Sequence, residues 1–271
     1  MFPYENVYQK PVDMRSYIRY RIGKMHCYGL GTQQDYEKAF EWFLKSAQEG
    51  NRFAQYSLGN LYYYGNGTDK DLSQAFHWYM KSAEQGQPYA AYAAAQMYNK
   101  GEYVSKDENQ AQKYYKQALA GFLELESKNQ ADDNLFYKMG IMYKNGLGTD
   151  IDMDKAINYF MRSAELNNTN AKRTLALEYL SGEYLELDIE KGLETLTECA
   201  DRGDIMSCFK LGKIYFKGEI VYKDLNMAEK YFLKASKKEN QYAYYSLGKL
   251  YLEKEKYSLD KAVEYFEKVL K

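Results

Sequence analysis

Small, aliphatic and aromatic positions recur along this chain with one fixed spacing. With Gly59 as anchor, the counterparts are Gly23, Ala95, Gly140, Ala176, Gly212 and Gly248. The steps between anchors are 36, 36, 45, 36, 36 and 36 residues. This gives seven repeats with one nine-residue insertion after the third. Self-similarity at such a period is the mark of a stacked repeat protein. One residue before each anchor stands an apolar side chain (Ile22, Leu58, Ala94, Met139, Leu175, Leu211, Leu247). Three residues after it stand His26, Tyr62, Tyr98, Tyr143, Tyr179, Tyr215 and Tyr251. A spacing of four places the two on one face of a helix.

Helix stops and starts follow in register. Gly29, Gly65, Gly101, Gly146, Gly182 and Gly218 stand six residues after the anchor, and Lys254 breaks the series. Glycine there can take the left-handed conformation that ends a helix. Asp35, Asp71, Asp107, Asp152, Asp188, Asp224 and finally Ser258 supply N-caps for a second helix. That helix carries a small residue (Ala39, Ala75, Ala111, Ala156, Gly192, Ala228, Ala262) and then a large pair such as Trp42-Phe43 or Trp78-Tyr79. Thr195-Leu196 replaces the pair in the fifth repeat, and the seventh repeat is two residues shorter. The small anchor is expected to admit a neighbouring helix backbone. Helices this short are marginal alone, so packing within and between repeats must stabilise them.

The blocks AQYSLGNLYYYGNGTDKDLSQAFHWYMKSAEQG and FYKMGIMYKNGLGTDIDMDKAINYFMRSAEL resemble Sel1-like repeats, relatives of the tetratricopeptide repeat with a longer loop between helices. The resemblance covers roughly residues 14 to 271. It implies an all-α fold, an α-α superhelix in which seven helix pairs form a right-handed solenoid. It also implies an interaction scaffold rather than an enzyme. The expected organisation is an N-terminal arm or cap over 1–13 and one solenoid over 14–271, with the insertion near 122–132. That insertion should lengthen the second helix of the third repeat.

Composition narrows the function. A net charge of −1 argues against a general nucleic-acid binder, although lysine is enriched beyond about residue 205. Apolar runs are too short to span a membrane, and with no apolar run after Met1 no secretory leader is expected. Three cysteines without a leader imply a reducing cytoplasm, unless the chain is a fragment. Related cysteine-rich proteins join adjacent repeats by disulfides at a spacing of eight. Cys199 and Cys208 are nine apart and are expected as thiols. His26 and His77 lie in different repeats and form no metal signature. Some cysteine-rich relatives are linked to penicillin binding, but here the Ser-x-x-Lys spacings at Ser246 and Ser258 follow from the repeat register. No enzyme, metal site or cofactor is expected.

By analogy with tetratricopeptide units, positions three and six before the anchor face an inner groove. They form the series Tyr20, Tyr56, Tyr92, Tyr137, Arg173, Phe209, Tyr245 and Tyr17, Phe53, Tyr89, Asn134, Asn170, Met206, Tyr242. The first series could equally serve packing between repeats. Asn60, Tyr63, Gln96 and Asn99 add hydrogen-bonding groups. Rigid aromatic area beside amides suits recognition of a protein segment. The expected contact set is Tyr17, Tyr20, Phe53, Tyr56, Asn60, Tyr63, Tyr89, Tyr92, Gln96 and Asn99, where the aromatic ladder is densest. The partner expected there is a peptide or helix of another protein. Alternatives are a regulatory or assembly module of a larger bacterial protein such as a mobilisation relaxase, an RNA-binding helical repeat and a lactam hydrolase. Val263, Phe266 and Leu270 form an apolar stripe through which a terminal repeat could pair with a second copy.

Overall fold

The computed structural model describes residues 13–237, 240–254 and 259–270, and among them it holds fourteen helices and no strand. In chain order they form pairs: α1 Met14–Tyr28 and α2 Tyr36–Gln48; α3 Arg52–Tyr64 and α4 Leu72–Glu84; α5 Pro88–Lys100 and α6 Glu108–Ser127. Then come α7 Asp133–Asn145, α8 Met153–Glu165, and the pair α9 Thr169–Ser181 and α10 Ile189–Asp201. Last are α11 Ile205–Lys217 and α12 Leu225–Ser236; α13 Gln241–Glu253 and α14 Leu259–Leu270. The all-α expectation holds. The chain divides into two compact bodies, Met1–Asp152 with α1 to α7 and Met153–Lys271 with α8 to α14.

Every first helix is capped at its start by a polar side chain: Asp13, Asn51, Gln87, Asp132, Asn168, Asp204 and Asn240. The Asn51 carboxamide oxygen accepts from the Ala54 amide at 3.0 Å. This series escaped the sequence reading, which recognised caps only for the second helices. Of those, Asp35, Asp71, Asp107, Asp188 and Asp224 accept helix amides. Ser258 lies outside the described residues. Each cap contributes about 1 kcal/mol. Of the arm expected over 1–13, only Asp13 is described, and it caps α1.

The six glycines at the ends of the first helices have φ between +64° and +72°, and Lys254, with φ −73°, ends α13 without the left-handed turn. The loop then closes on a backbone bond. The Asp71 amide donates to the Tyr62 carbonyl at 2.9 Å, and the same bond joins Asp35 to His26 and Asp224 to Tyr215. A backbone carbonyl is the acceptor, so the loop tolerates histidine in place of tyrosine at position 26.

The anchor works differently from expectation. Its close neighbour is a ring rather than a helix backbone. A Cβ on Gly23 would come within 2.6 Å of the Phe43 ring, and one on Gly59 within 2.6 Å of the Tyr79 ring. Gly212 with Phe232 and Gly248 with Phe266 repeat the contact at 2.5 Å. Thus in these four repeats the second ring of the large pair seats on the small residue of the preceding helix. The fifth repeat has the slimmer Leu196 at the ring position, fully buried, and Ala176 at the anchor.

The insertion is divided in two. Helix α6 has 20 residues against 13 in α4, so seven of the nine extra residues add about two turns. These turns bury Phe122 and Leu125. Cys199 and Cys208 are both buried free thiols, and burial raises the pKa of each. Cys199 stands where Ser46, Ser82 and Ser163 are buried in other repeats, a position that takes a small side chain.

Gly31 and Gly67 occupy the same repeat position, with φ +72° and +70°. A Cβ on Gly31 meets nothing within 4 Å, whereas on Gly67 it would lie 2.2 Å from the Tyr36 carbonyl oxygen. Gly31→Ala should therefore cost only the left-handed strain of about 1–2 kcal/mol. Gly67→Ala should cost at least about 1 kcal/mol more, because backbone must move. Denaturant midpoints of the two variants check this; equal midpoints would show that the contact is released freely. Alkylation without reductant, under denaturing conditions, should modify all three cysteines by intact mass.

Candidate functional site

The aromatic ladder of the first body is a connected run of rings. Tyr20 on α1 packs on Phe43 of α2 (5.9 Å) and on Phe53 of α3 (5.8 Å). Tyr56 on α3 packs on Tyr79 of α4 and on Tyr89 of α5, both at 6.0 Å. Phe122, from the lengthened α6, lies 5.0 Å from Tyr89 and 6.3 Å from Tyr92. Tyr20, Tyr56 and Tyr92 therefore each contact the second helix of their own repeat, and Tyr20 and Tyr56 also bridge to the next repeat. Offset and edge-on rings at these distances add to burial.

This arrangement sorts the candidate residues. Tyr20, Phe53 and Tyr92 are only 7%, 6% and 6% exposed, so most of their surface belongs to the core. Truncating Phe53 would cost several kcal/mol of stability and would confound any binding measurement. Tyr56, Asn60, Tyr63, Tyr89 and Gln96 are half-buried and line one cavity of about 200 Å³ together with Tyr92. A second cavity of about 220 Å³ shares Tyr56, Asn60 and Tyr89 with the first and adds Tyr20, Phe53, Asp132 and Asn134. Tyr17 and Asn99 line neither cavity. The Tyr17 hydroxyl accepts from Arg21 at 3.2 Å, and Asn99 is exposed. In the second body the equivalent Met206, Tyr242 and Tyr245 are the more exposed members, at 46%, 76% and 52%.

The polar lining of the first cavity consists of six phenols, two carboxamides and two lysines. The Tyr79 hydroxyl donates to Asn60 Oδ1 at 2.8 Å, and the Tyr63 hydroxyl donates to Glu102 Oε2 at 2.8 Å. Burial pushes Tyr56 and Tyr92 up to about 12 and raises Tyr79 as well, so all three phenols stay protonated near neutrality. Lys100 pairs with Glu102 at 3.6 Å. Lys138, on α7, closes another side with its ammonium 4.6 Å from the centre of the Tyr92 ring. Desolvation lowers its pKa, against the attraction of Asp132.

Lys138, Tyr64 and Phe122 were absent from the sequence-derived set. Lys138 stands two residues before its anchor, where the series runs Arg21, Ser57, Ala93, Lys138, Thr174, Lys210 and Ser246. A cation in that series was the available signal. Phe122 falls in the insertion, which has no counterpart in other repeats and so no register to place it. Among the described residues no group of three or more His, Cys, Asp or Glu side chains could hold a metal ion, and no helix is long and apolar enough to cross a membrane.

The model of the Sel1 repeat matches residues 19–51, 52–87, 88–121, 137–168, 205–240 and 241–268. The unmatched stretch includes α9 and α10, the pair in which Leu196 replaces the ring. Among solved structures, a Sel1 repeat protein from Oxalobacter formigenes is 29% identical, with a TM-score of 0.57 over 84% of this chain and 91% of that one. A protective antigen of uropathogenic Escherichia coli with an SLR fold is 26% identical, also with a TM-score of 0.57, over 94% of this chain. The match spans 53% of that antigen, about half its length. No curated protein matches the sequence. Sel1 repeat proteins generally mediate protein–protein interaction, and their scaffold is generally non-enzymatic. With six matched segments and the anchor geometry in register, the chain belongs to the Sel1 repeat family.

Proposed function

We propose that this protein is an interaction scaffold that holds a peptide or helix of a protein partner on the face of the first body lined by α3, α5 and α7. The observation that carries this reading is the pair of adjoining cavities whose walls are half-buried tyrosines and amides. Tyrosine gives large rigid contact area at small entropic cost, and such residues dominate binding energy at interfaces. Each cavity is smaller than the roughly 300–1,000 Å³ of sites for cofactors and drug-sized ligands. Their size suits single side chains from a longer segment.

Ala93 lines the first cavity and is half-buried. Arg21, Lys138 and Lys210 occupy its position in other repeats, so the helix accommodates a long side chain there. Ala93→Met should fill the cavity, leave the melting temperature within a few degrees, and weaken partner binding at least about tenfold, or about 1.4 kcal/mol. The check is a quantitative pull-down from the source organism with wild type and variant as bait, followed by titration of the captured partner. A partner retained equally by both baits would place the binding face elsewhere.

A second contact is favoured by α14, where Val263 and Leu270 of the expected stripe, with Leu259, are 55%, 87% and 56% exposed, whereas Phe266 is half-buried on Gly248. We infer that a second copy covers this stripe. Sedimentation of the wild type should then show a dimer, and Val263→Asp a monomer.

A further inference from the structure

The two lysines of the first cavity differ in their partners. Lys100 pairs with Glu102, which also accepts the Tyr63 hydroxyl. Lys138 has no ion-pair partner among the described residues, and no carboxylate lines its cavity. Asp132 attracts it from the adjoining cavity, but its carboxylate is engaged as the N-cap of α7, accepting the Leu135 amide at 2.8 Å. Gln96, on the same cavity wall, likewise has no hydrogen-bond partner within the described protein. A half-buried ammonium on an aromatic face has lost part of its hydration and gains most from an incoming anion. The phenols of Tyr56 and Tyr92 are protonated, so they add no competing negative charge.

We propose that this cavity reads an acidic residue: an aspartate or glutamate side chain within the partner segment enters it and pairs with Lys138. The proposal rests on the groove reading above and specifies its chemistry. A cavity of about 200 Å³ takes one side chain of this size. The second cavity shares the walls Tyr56, Asn60 and Tyr89, so the segment has a further place to run beyond the acid. That continuation favours a side-chain carboxylate over a chain terminus.

The test is display selection on the 271-residue chain with two random peptide libraries. In one the random segment is flanked on both sides by constant sequence; in the other it ends in a free carboxylate. Wild type should enrich Asp or Glu at one position of the flanked library. Lys138→Gln should bind the selected peptides at least about tenfold more weakly, the scale of a charge-assisted bond. Lys138→Arg should retain the acid preference, and Lys138→Glu should replace it with Lys or Arg. Melting curves of the three variants separate these effects from unfolding. Peptides that are lost on Ala93→Met yet show no acid preference, or that ignore Lys138→Gln, would overturn the acid subsite and leave the groove reading intact. Enrichment confined to free C-termini would overturn it as well. Absence of any peptide sensitive to Ala93→Met would remove both readings.

Discussion

The contact on which the structure depends is a ring lying on a residue that has almost no side chain. Tyr79 on Gly59, and Phe43 on Gly23, set how closely the two helices of a pair approach. Glycine inside a helix costs roughly 1 kcal/mol in propensity. The cost is offset by burying most of an aromatic side chain, worth on the order of 2–3 kcal/mol. The period of 36 residues follows from this contact, because ring and anchor must return to the same angular position in each pair. The capped ends and the loop bond from Asp71 to Tyr62 hold the connection to a constant length, so the register does not drift.

The same rings also make the candidate site. Tyr56 reaches Tyr79 below it and Tyr89 beside it, yet remains partly open to a cavity. A binding face built in this way is rigid before its partner arrives, which lowers the ordering cost of association. The arrangement also means that core and site cannot be dissected by truncating rings. Phe53 and Tyr92 touch the cavities with only a small fraction of their surface. Side chains such as Ala93, Gln96 and Lys138 line the first cavity with fewer packing duties.

The nine-residue insertion adds an asymmetry to an otherwise uniform repeat. Its added turns carry Phe122 beneath Tyr89 and Tyr92 and change the step from α6 to α7. The departure from strict periodicity therefore coincides with the cavity that holds Lys138. In an array whose neighbours are nearly equivalent, a break in register is where a distinct pocket can form.

The sequence by itself determined the helices, their order, the stops of the first helices and the starts of the second. These depend on local chemistry: glycine at a left-handed stop, aspartate at an N-cap, and a small residue at a fixed distance before a ring. It also located the aromatic ladder, since facing positions follow from helical periodicity. It could not divide that ladder between core and cavity. Tyr20 and Tyr56 stand at the same repeat position, yet one is buried and the other lines the first cavity, because exposure depends on what the neighbouring helices place around each ring. Nor could it bring Lys138 onto Tyr92, 46 residues earlier in the chain and across the insertion. Only the packing of α5, α6 and α7 decided that contact, because the direction of a helix after a lengthened neighbour is set by long-range burial, which no local pattern encodes.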